Sequence, residues 1–180
     1  MPFIASIAEN ARPSTILQQF PESGRLIMAF TEQLIRAPST LTTAERELIA
    51  AFTSGLNACR FCCDTHSATA EVLGVKKGLI DDLVADIDSA DVDEKMKPLL
   101  KYVKKLTEKP TQVTQRDVDA IMAAGWDENA FYHAVSICGL FNYYNRLIEG
   151  YGVKSAPEYR DFIGERLANE GYLTALDHQD

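Results

Sequence analysis

The sequence has no apolar run of about 18 residues and no cluster of basic residues interleaved with aromatic ones. The first absence excludes a membrane-spanning helix from the expected architecture. The second absence and the formal net charge of −8 argue against a nucleic acid as partner, because phosphates repel an acidic chain. The first residues, MPFIASIAENARPS, lack the basic start and sustained apolar stretch of a secretory signal. We therefore expect a cytoplasmic protein that binds neither membranes nor nucleic acid.

Cysteine and histidine are also scarce, with four and three copies. Three of the cysteines and one histidine nevertheless fall within residues 57–67, NACRFCCDTHS. In a reducing compartment such a close cysteine pair is more often catalytic, redox-active or metal-binding than a structural disulfide. Zinc requires four ligands, and the chain has no second C-x-x-C or H-x-x-x-H, so Cys63, His133 or His178 would have to complete the set by folding. We expect no metal and no cofactor.

Apolar residues recur at helical spacing along nearly the whole chain, and no stretch alternates with the period of a strand. Thr42 precedes Glu45 by three residues, and Ser155 precedes Glu158 likewise, which is the spacing of a capping box at a helix start. The pattern predicts an all-α protein of about seven to nine helices. One predicted apolar stripe lies near the N-terminus: Leu26, Ile27, Phe30 and Leu34.

Three zones are predicted along the chain. Residues 1–40 form an N-terminal helical arm. Residues 41–109 form a catalytic helical core that contains the C-x-x-C-x-x-x-H motif, and residues 110–180 supply C-terminal helices that close the same domain. No linker is long enough to separate independent domains.

Two helices are predicted around the cysteine motif. The first begins near Thr43, carries Glu47 beside its apolar stripe and ends in the small residues at 54–57; the second runs from Cys59 to about Leu73. At about 100° per residue, Cys59, Cys62 and His66 fall on one face of the second helix. If the two helices form an antiparallel hairpin, Glu47 faces His66.

This arrangement places a carboxylate, an imidazole and two thiols in a line. A nucleophilic sulfur must be a thiolate, and a free cysteine titrates near about 8.5, so a neighbouring group must help it to ionise. A helix N-terminus favours Cys59 as the ionised thiol, whereas proximity to His66 favours Cys62. A second cysteine three residues away can convert an oxidised sulfur to a disulfide.

The full motif is Glu47, the eleven residues LIAAFTSGLNA, then Cys59, Cys62 and His66. It resembles the signature of the alkylhydroperoxidase D family, also called the carboxymuconolactone decarboxylase-like family. The segment FNYYNRLIEGYGV is similar to its peroxidase-related members. The resemblance implies an all-α multi-helix bundle of the alkylhydroperoxidase D-like type with its active site on a helical hairpin. It also implies a thiol peroxidase that uses no haem, flavin or metal.

By the family's pattern, Cys62 attacks the peroxide and becomes a sulfenic acid, and Cys59 condenses with it to a disulfide. Glu47 and His66 relay the proton. The implied substrate is hydrogen peroxide or a small organic hydroperoxide, and the reductant is an unknown dithiol or protein. Family members self-associate, so we expect a homo-oligomer (a dimer, trimer or hexamer) in which the N-terminal arm contacts a neighbouring copy.

The chain departs from some active members, which place a second histidine between the cysteines where this chain has Arg60 and Phe61. We expect Arg60 to face solvent, and Cys63 is a possible competing thiol. His133 and Cys138 are expected to pack in the core, and the residues at 143–146 to have a structural rather than a catalytic role. Two alternatives remain: a lactone decarboxylase of the same fold, which does not rely on a cysteine pair, and a non-catalytic redox sensor.

Overall fold

The computed structural model describes residues 2–8, 11–154 and 159–176, with side chains described as far as Thr174. Within these ranges the chain forms nine α-helices and two 3₁₀ turns and no strand, which confirms the all-α prediction. The described residues contain no helix that is both long and apolar enough to cross a membrane. Ser155, Glu158 and His178 lie outside the described residues.

The helices are α1 (Pro13–Gln18), α2 (Pro21–Arg36), α3 (Thr43–Leu56), α4 (Arg60–Val72), α5 (Leu79–Ala85), α6 (Met96–Glu108), α7 (Gln115–Ala123), α8 (Glu128–Tyr151) and α9 (Tyr159–Glu170). The 3₁₀ turns are Pro110–Gln112 and Leu173–Leu176. The division of the chain into an arm, a core and a closing segment stays a prediction.

Local signals set the start of α3 as the sequence predicts. The Thr42 side chain accepts a hydrogen bond from the Glu45 backbone N–H at 3.2 Å, and a Glu45 carboxylate oxygen accepts one from the Thr42 backbone N–H at 2.7 Å. This capping box satisfies two N–H groups that have no partner within the helix. The same device starts α7, where Thr114 pairs with Asp117.

The central helix of the fold is α3, which is buried nearly all round. Every residue from Arg46 to Ser54 is buried, and α3 packs against α4, α5, α6 and α8. A helix enclosed on all sides needs small or apolar residues on every face, which explains the run LIAAF at 48–52. Any polar side chain on α3, including that of Glu47, must therefore find its partners inside the protein.

The predicted apolar stripe on α2 is wrong in two of its four residues. Leu34 is buried, but Leu26 is 73% exposed and Phe30 is also exposed. The buried face of α2 contains Gly24, Met28, Thr31, Leu34 and Ile35 instead. Gly24 fixes this rotation, because its α-carbon packs so closely on α1 that an added Cβ would lie 2.5 Å from the Leu17 carbonyl oxygen.

The last described segment closes over α4 and returns to α2. α9 crosses α4 where a Cβ on Gly164 would lie 2.7 Å from the Cβ of Ala68, so only glycine permits this approach. Arg36 of α2 donates hydrogen bonds to the carbonyls of Leu167 and Ala168 at 3.0 and 3.1 Å. These contacts bring the C-terminal segment against the α3–α4 hairpin.

Candidate active site

The turn between α3 and α4 places Cys59. The Ala58 N–H bonds to the Gly55 carbonyl and the Cys59 N–H to the Ser54 carbonyl, both at 3.0 Å, in the pattern of a Schellman motif. Ala58 takes the left-handed position of that motif, with φ of 54°. Cys59 follows directly and is also the N-cap of α4. Cys59 thus makes a C-terminal hydrogen bond of α3 and is also the N-cap residue of α4.

Cys59 and Cys62 are both buried free thiols that interact with each other. The pKa of Cys59 is lowered, chiefly because its sulfur accepts a hydrogen bond from the Cys62 thiol. The pKa of Cys62 is raised well above its ordinary value, because it donates to Cys59 and is buried. The two opposite directions reflect one hydrogen bond, in which Cys62 is the donor and Cys59 is the acceptor.

Glu47 and His66 meet across the hairpin. One Glu47 carboxylate oxygen lies 2.8 Å from Nδ1 of His66, which confirms the predicted facing of the two residues. The Glu47 side chain is fully buried, and the His66 ring contacts the edge of Phe141 with ring centroids 4.5 Å apart. A carboxylate only accepts hydrogen bonds, so Nδ1 carries the hydrogen and Nε2 is left as an acceptor.

Tyr172 completes this pair from the far end of the sequence. Its hydroxyl donates to the second carboxylate oxygen of Glu47 at 2.5 Å and lies 3.3 Å from Nδ1 of His66. Both oxygens of the buried carboxylate are thereby satisfied, as burial requires. The sequence motif contains no signal for Tyr172, which lies 106 residues from His66 along the chain.

Asn145 of α8 lies on the other side of the cysteine pair. Its amide N–H donates to the Ser54 hydroxyl at 3.0 Å, and its oxygen accepts from Asn57 at 2.9 Å. Its side chain also hydrogen-bonds Cys62, which opposes the rise in the pKa of that thiol. The predicted structural role for the 143–146 segment therefore fits Asn145, which in addition contacts the site.

Cys62 and His66 open into one pocket of about 80 Å³ between α4, α8, α9 and the first two helices. This volume suits a molecule of a few heavy atoms. Tyr144 also lines the pocket, with its hydroxyl 2.8 Å from that of Thr31. Most of the wall is apolar: Met28, Phe61, Phe141, Tyr159, Ile163 and Leu167. Cys59, in contrast, lies behind the pocket and is 0% exposed.

The residues between and after the cysteines point in different directions. The Arg60 side chain is 85% exposed and pairs with Asp64 at 3.4 Å, which confirms that it faces solvent. Phe61 lines the pocket and packs on Tyr159, with ring centroids 6.0 Å apart. Cys63 faces Ser67 and the α5 side of the hairpin, where burial raises its pKa to about 11.

His133, a candidate zinc ligand within the described residues, is engaged elsewhere, and so is Cys138. His133 Nδ1 contacts the Asn129 carbonyl at 2.9 Å, and the Cys138 sulfur contacts the Thr107 hydroxyl at 3.2 Å, which confirms that both pack in the core. Across the described ranges, no three His, Cys, Asp or Glu side chains are grouped to hold a metal ion.

The model of the Carboxymuconolactone decarboxylase family matches residues 21–105. This part of the chain is therefore similar in sequence to that family. The match contains Glu47, Cys59, Cys62 and His66, and it ends before α8 and α9. Asn145 and Tyr172, which contact the same site, therefore lie outside the segment that matches the carboxymuconolactone decarboxylase family.

Solved structures show the same fold. An uncharacterized peroxidase-related protein from Ralstonia eutropha JMP134, described as an alkylhydroperoxidase AhpD core, is 23% identical with a TM-score of 0.76, covering 83% of this chain and 78% of that one. One from Silicibacter sp. TM1040 is 23% identical with a TM-score of 0.74, covering 81% and 78%. A protein of unknown function from Agrobacterium tumefaciens is 19% identical with a TM-score of 0.67, covering 83% and 99%.

These similarities confirm the resemblance: the chain has the all-α AhpD-like architecture, and residues 21–105 match the model of the Carboxymuconolactone decarboxylase family. No curated protein matches the chain.

Proposed function

We propose that the protein is a thiol-dependent peroxidase that reduces hydrogen peroxide or small organic hydroperoxides through a Cys59–Cys62 disulfide. The observation that carries the proposal is the shared pocket of Cys62 and His66, with buried Glu47 hydrogen-bonded behind His66 at 2.8 Å. A pocket-facing thiol beside a base whose other nitrogen is held by a carboxylate is an arrangement that activates a nucleophile.

In the first step the Cys62 thiol gives its proton to His66 Nε2, and the Glu47 carboxylate stabilises the imidazolium that forms. The Cys62 thiolate attacks the terminal peroxide oxygen, the O–O bond breaks, and the alkoxide or hydroxide takes the proton back from His66. The products are Cys62 sulfenic acid and an alcohol or water. The sulfur is oxidised by two electrons, and the peroxide is reduced by the same two.

In the second step Cys59 attacks the sulfenic sulfur. The S–S bond forms, the S–O bond breaks, and the hydroxide leaves as water with the proton from Cys59. The attacking sulfur must be a thiolate, and Cys59 is the N-cap of α4, where the helix N-terminus favours the ionised form. The helix-terminal position of Cys59 and the pocket exposure of Cys62 therefore suit two different tasks.

The catalytic cycle requires a reductant that returns two electrons to the disulfide. We propose an unidentified dithiol or protein thiol as its source, and a reducing compartment such as the cytoplasm as its setting. The apolar pocket wall further favours a small organic hydroperoxide over hydrogen peroxide, because an alkyl group gains free energy by leaving water. Comparison of kcat/KM for tert-butyl hydroperoxide and hydrogen peroxide measures this preference.

The test is to oxidise the reduced protein with one equivalent of hydroperoxide, alkylate the remaining thiols in denaturant within seconds, and map the products by mass spectrometry. We expect a Cys59–Cys62 disulfide, with Cys63 and Cys138 alkylated. Cys62→Ser abolishes peroxide consumption, and Cys59→Ser accumulates a Cys62 sulfenic acid that dimedone captures. Cys138→Ser is the matched control, because Cys138 is buried outside the pocket lining.

Other results would change the assignment. Full turnover by Cys62→Ser would move the nucleophile to Cys59. A disulfide that forms once, without turnover in the presence of any dithiol, would favour the redox sensor. Four reduced cysteines after treatment would refute peroxide chemistry and reopen the lactone decarboxylase alternative.

We also propose that the chain self-associates through its N-terminal region. Leu26 and Phe30 are exposed one helical turn apart on α2, and they form an apolar surface that a second copy would cover. Light scattering after gel filtration gives the assembly size. A double substitution of both residues by Glu should reduce that size, and an unchanged mass would place the contact elsewhere.

A further inference from the structure

Tyr172 is the third member of the buried hydrogen-bonded group at the site. It lies just beyond α9, its hydroxyl donates to Glu47, and its ring is nearly parallel to that of His66, with an interplanar angle of 14° and centroids 6.2 Å apart. The tyrosine also lines the pocket that contains Cys62. The C-x-x-C-x-x-x-H motif does not include a tyrosine, so the motif does not explain why Tyr172 lies at the site.

The hydroxyl of Tyr172 is a permanent donor. Burial and then the negative charge of Glu47 raise its pKa well above the ordinary value of a tyrosine. It therefore keeps its proton throughout the working pH range and does not act as a general acid or base. What it supplies is a fixed hydrogen bond to one carboxylate oxygen of Glu47, which leaves the other oxygen directed at His66.

The backbone around Tyr172 is held by α2. The Tyr172 N–H donates to a Glu32 carboxylate oxygen at 2.7 Å. Gly171 has a φ of +77°, and an added Cβ would lie 2.6 Å from the same Glu32 oxygen. Only glycine allows this approach together with this backbone conformation. The hydroxyl thus reaches Glu47 from a segment whose backbone is anchored independently of the hairpin.

We propose that Tyr172 is a positioning residue that holds the Glu47 carboxylate in line with His66 Nδ1 and so keeps the hydrogen of the imidazole on that nitrogen. The catalytic meaning of this role rests on the proposed peroxidase function. Without the hydroxyl, the buried carboxylate loses one of its two donors and can rotate away from Nδ1. His66 then accepts the Cys62 proton less readily, and the thiolate forms at higher pH.

The test compares Tyr172→Phe with Tyr102→Phe in the full chain. Tyr102 is a suitable control, because it is a buried tyrosine of α6 that packs on Phe131 outside the pocket lining. Three quantities are measured: the pH dependence of thiol alkylation, the NMR resonance of the His66 Nδ1–H group, and kcat and KM for tert-butyl hydroperoxide. Circular dichroism checks that each variant is folded.

For Tyr172→Phe we expect a kcat about tenfold lower with KM little changed, the order of loss for removing a hydrogen bond to a charged group. The alkylation curve should move to higher pH, and the His66 Nδ1–H signal should shift and exchange faster with water. Tyr102→Phe should leave all three unchanged.

A folded Tyr172→Phe protein with the wild-type alkylation curve and His66 signal would overturn the proposal, whatever its stability. Failure of the proposed function is distinguishable from this result. If the wild-type protein consumes no peroxide, the peroxidase assignment is lost, yet the alkylation and NMR measurements still decide whether Tyr172 positions Glu47 and His66.

Discussion

Replacement of Glu47 by Gln tests the proton relay most directly. The carboxylate is fully buried and accepts from His66 at 2.8 Å and from Tyr172 at 2.5 Å. Gln has nearly the same shape and can keep both contacts, since the Tyr172 hydroxyl can also accept from an amide N–H. The substitution therefore removes the negative charge behind His66 while leaving the packing almost intact.

The size of the effect follows from the contact that loses its charge. A hydrogen bond to a charged group contributes about 1.5–3 kcal/mol, and a neutral one contributes about 0.5–1.5 kcal/mol. The imidazolium form of His66 thus loses about 1–1.5 kcal/mol, which corresponds to about one pH unit. Because Cys62 gives its proton to His66 in the proposed mechanism, the apparent pKa of Cys62 should rise by about that amount, and peroxide consumption at neutral pH should fall about tenfold or more.

The assay is the rate of iodoacetamide alkylation against pH, read at Cys59 and Cys62 separately by mass spectrometry. Glu108→Gln is the control, because this substitution changes the net charge by the same amount at an exposed position at the end of α6. An alkylation curve for Glu47→Gln that coincides with the wild-type curve, in a folded protein, would refute the relay. A shift in both variants would assign the effect to overall charge.

Three further predictions follow from individual contacts. Ala58→Gly should stabilise the protein by about 0.5–1 kcal/mol in urea unfolding, because the position has φ of 54°; destabilisation would show that the turn is unstrained. Cys63→Ser should leave turnover and the disulfide unchanged, since its pKa of about 11 keeps it protonated; a lost disulfide would contradict this. The Lys105 hydrogen bond lowers the pKa of Asp117 from 3.8 to about 2, so stability present above pH 3.8 should fall as the pH approaches 2. Asp117→Asn should flatten that fall in Tm, and an equally steep fall in the variant would exclude this pair as its source.

The hairpin could be predicted from the sequence because its signals are local. The capping box at Thr42 fixes where α3 begins, and Gly74, with φ of 102°, lies just beyond the end of α4. With both helices placed, their periodicity puts Glu47 opposite His66. The observed helices, Thr43–Leu56 and Arg60–Val72, differ from the expected bounds by about a residue.

The rest of the site depends on long-range packing, which a motif does not encode. Tyr172 reaches Glu47 because Gly171 and Gly164 let the C-terminal segment approach α2 and α4, and neither glycine stands out in the sequence. The outward rotation of Leu26 has the same origin, since the close approach of Gly24 to α1 decides which face of α2 is buried. In each case the close approach of a glycine to another segment decides the position of a side chain, and the local sequence pattern does not show that approach.

The position of Cys59 links the α3–α4 turn and the electrostatics of the cysteine pair to the proposed redox cycle. Cys59 is the N-cap of α4, and the C-x-x-C spacing places Cys62 three residues on, where its thiol donates to Cys59 and lowers the pKa of Cys59. In the proposed cycle, disulfide formation removes this hydrogen bond, so the reduced state has a stabilising interaction that the oxidised state lacks. Stabilisation of the reduced form makes a disulfide a stronger oxidant. We infer that a dithiol reduces the Cys59–Cys62 disulfide more readily than it reduces an ordinary structural disulfide, which is the property that repeated turnover requires.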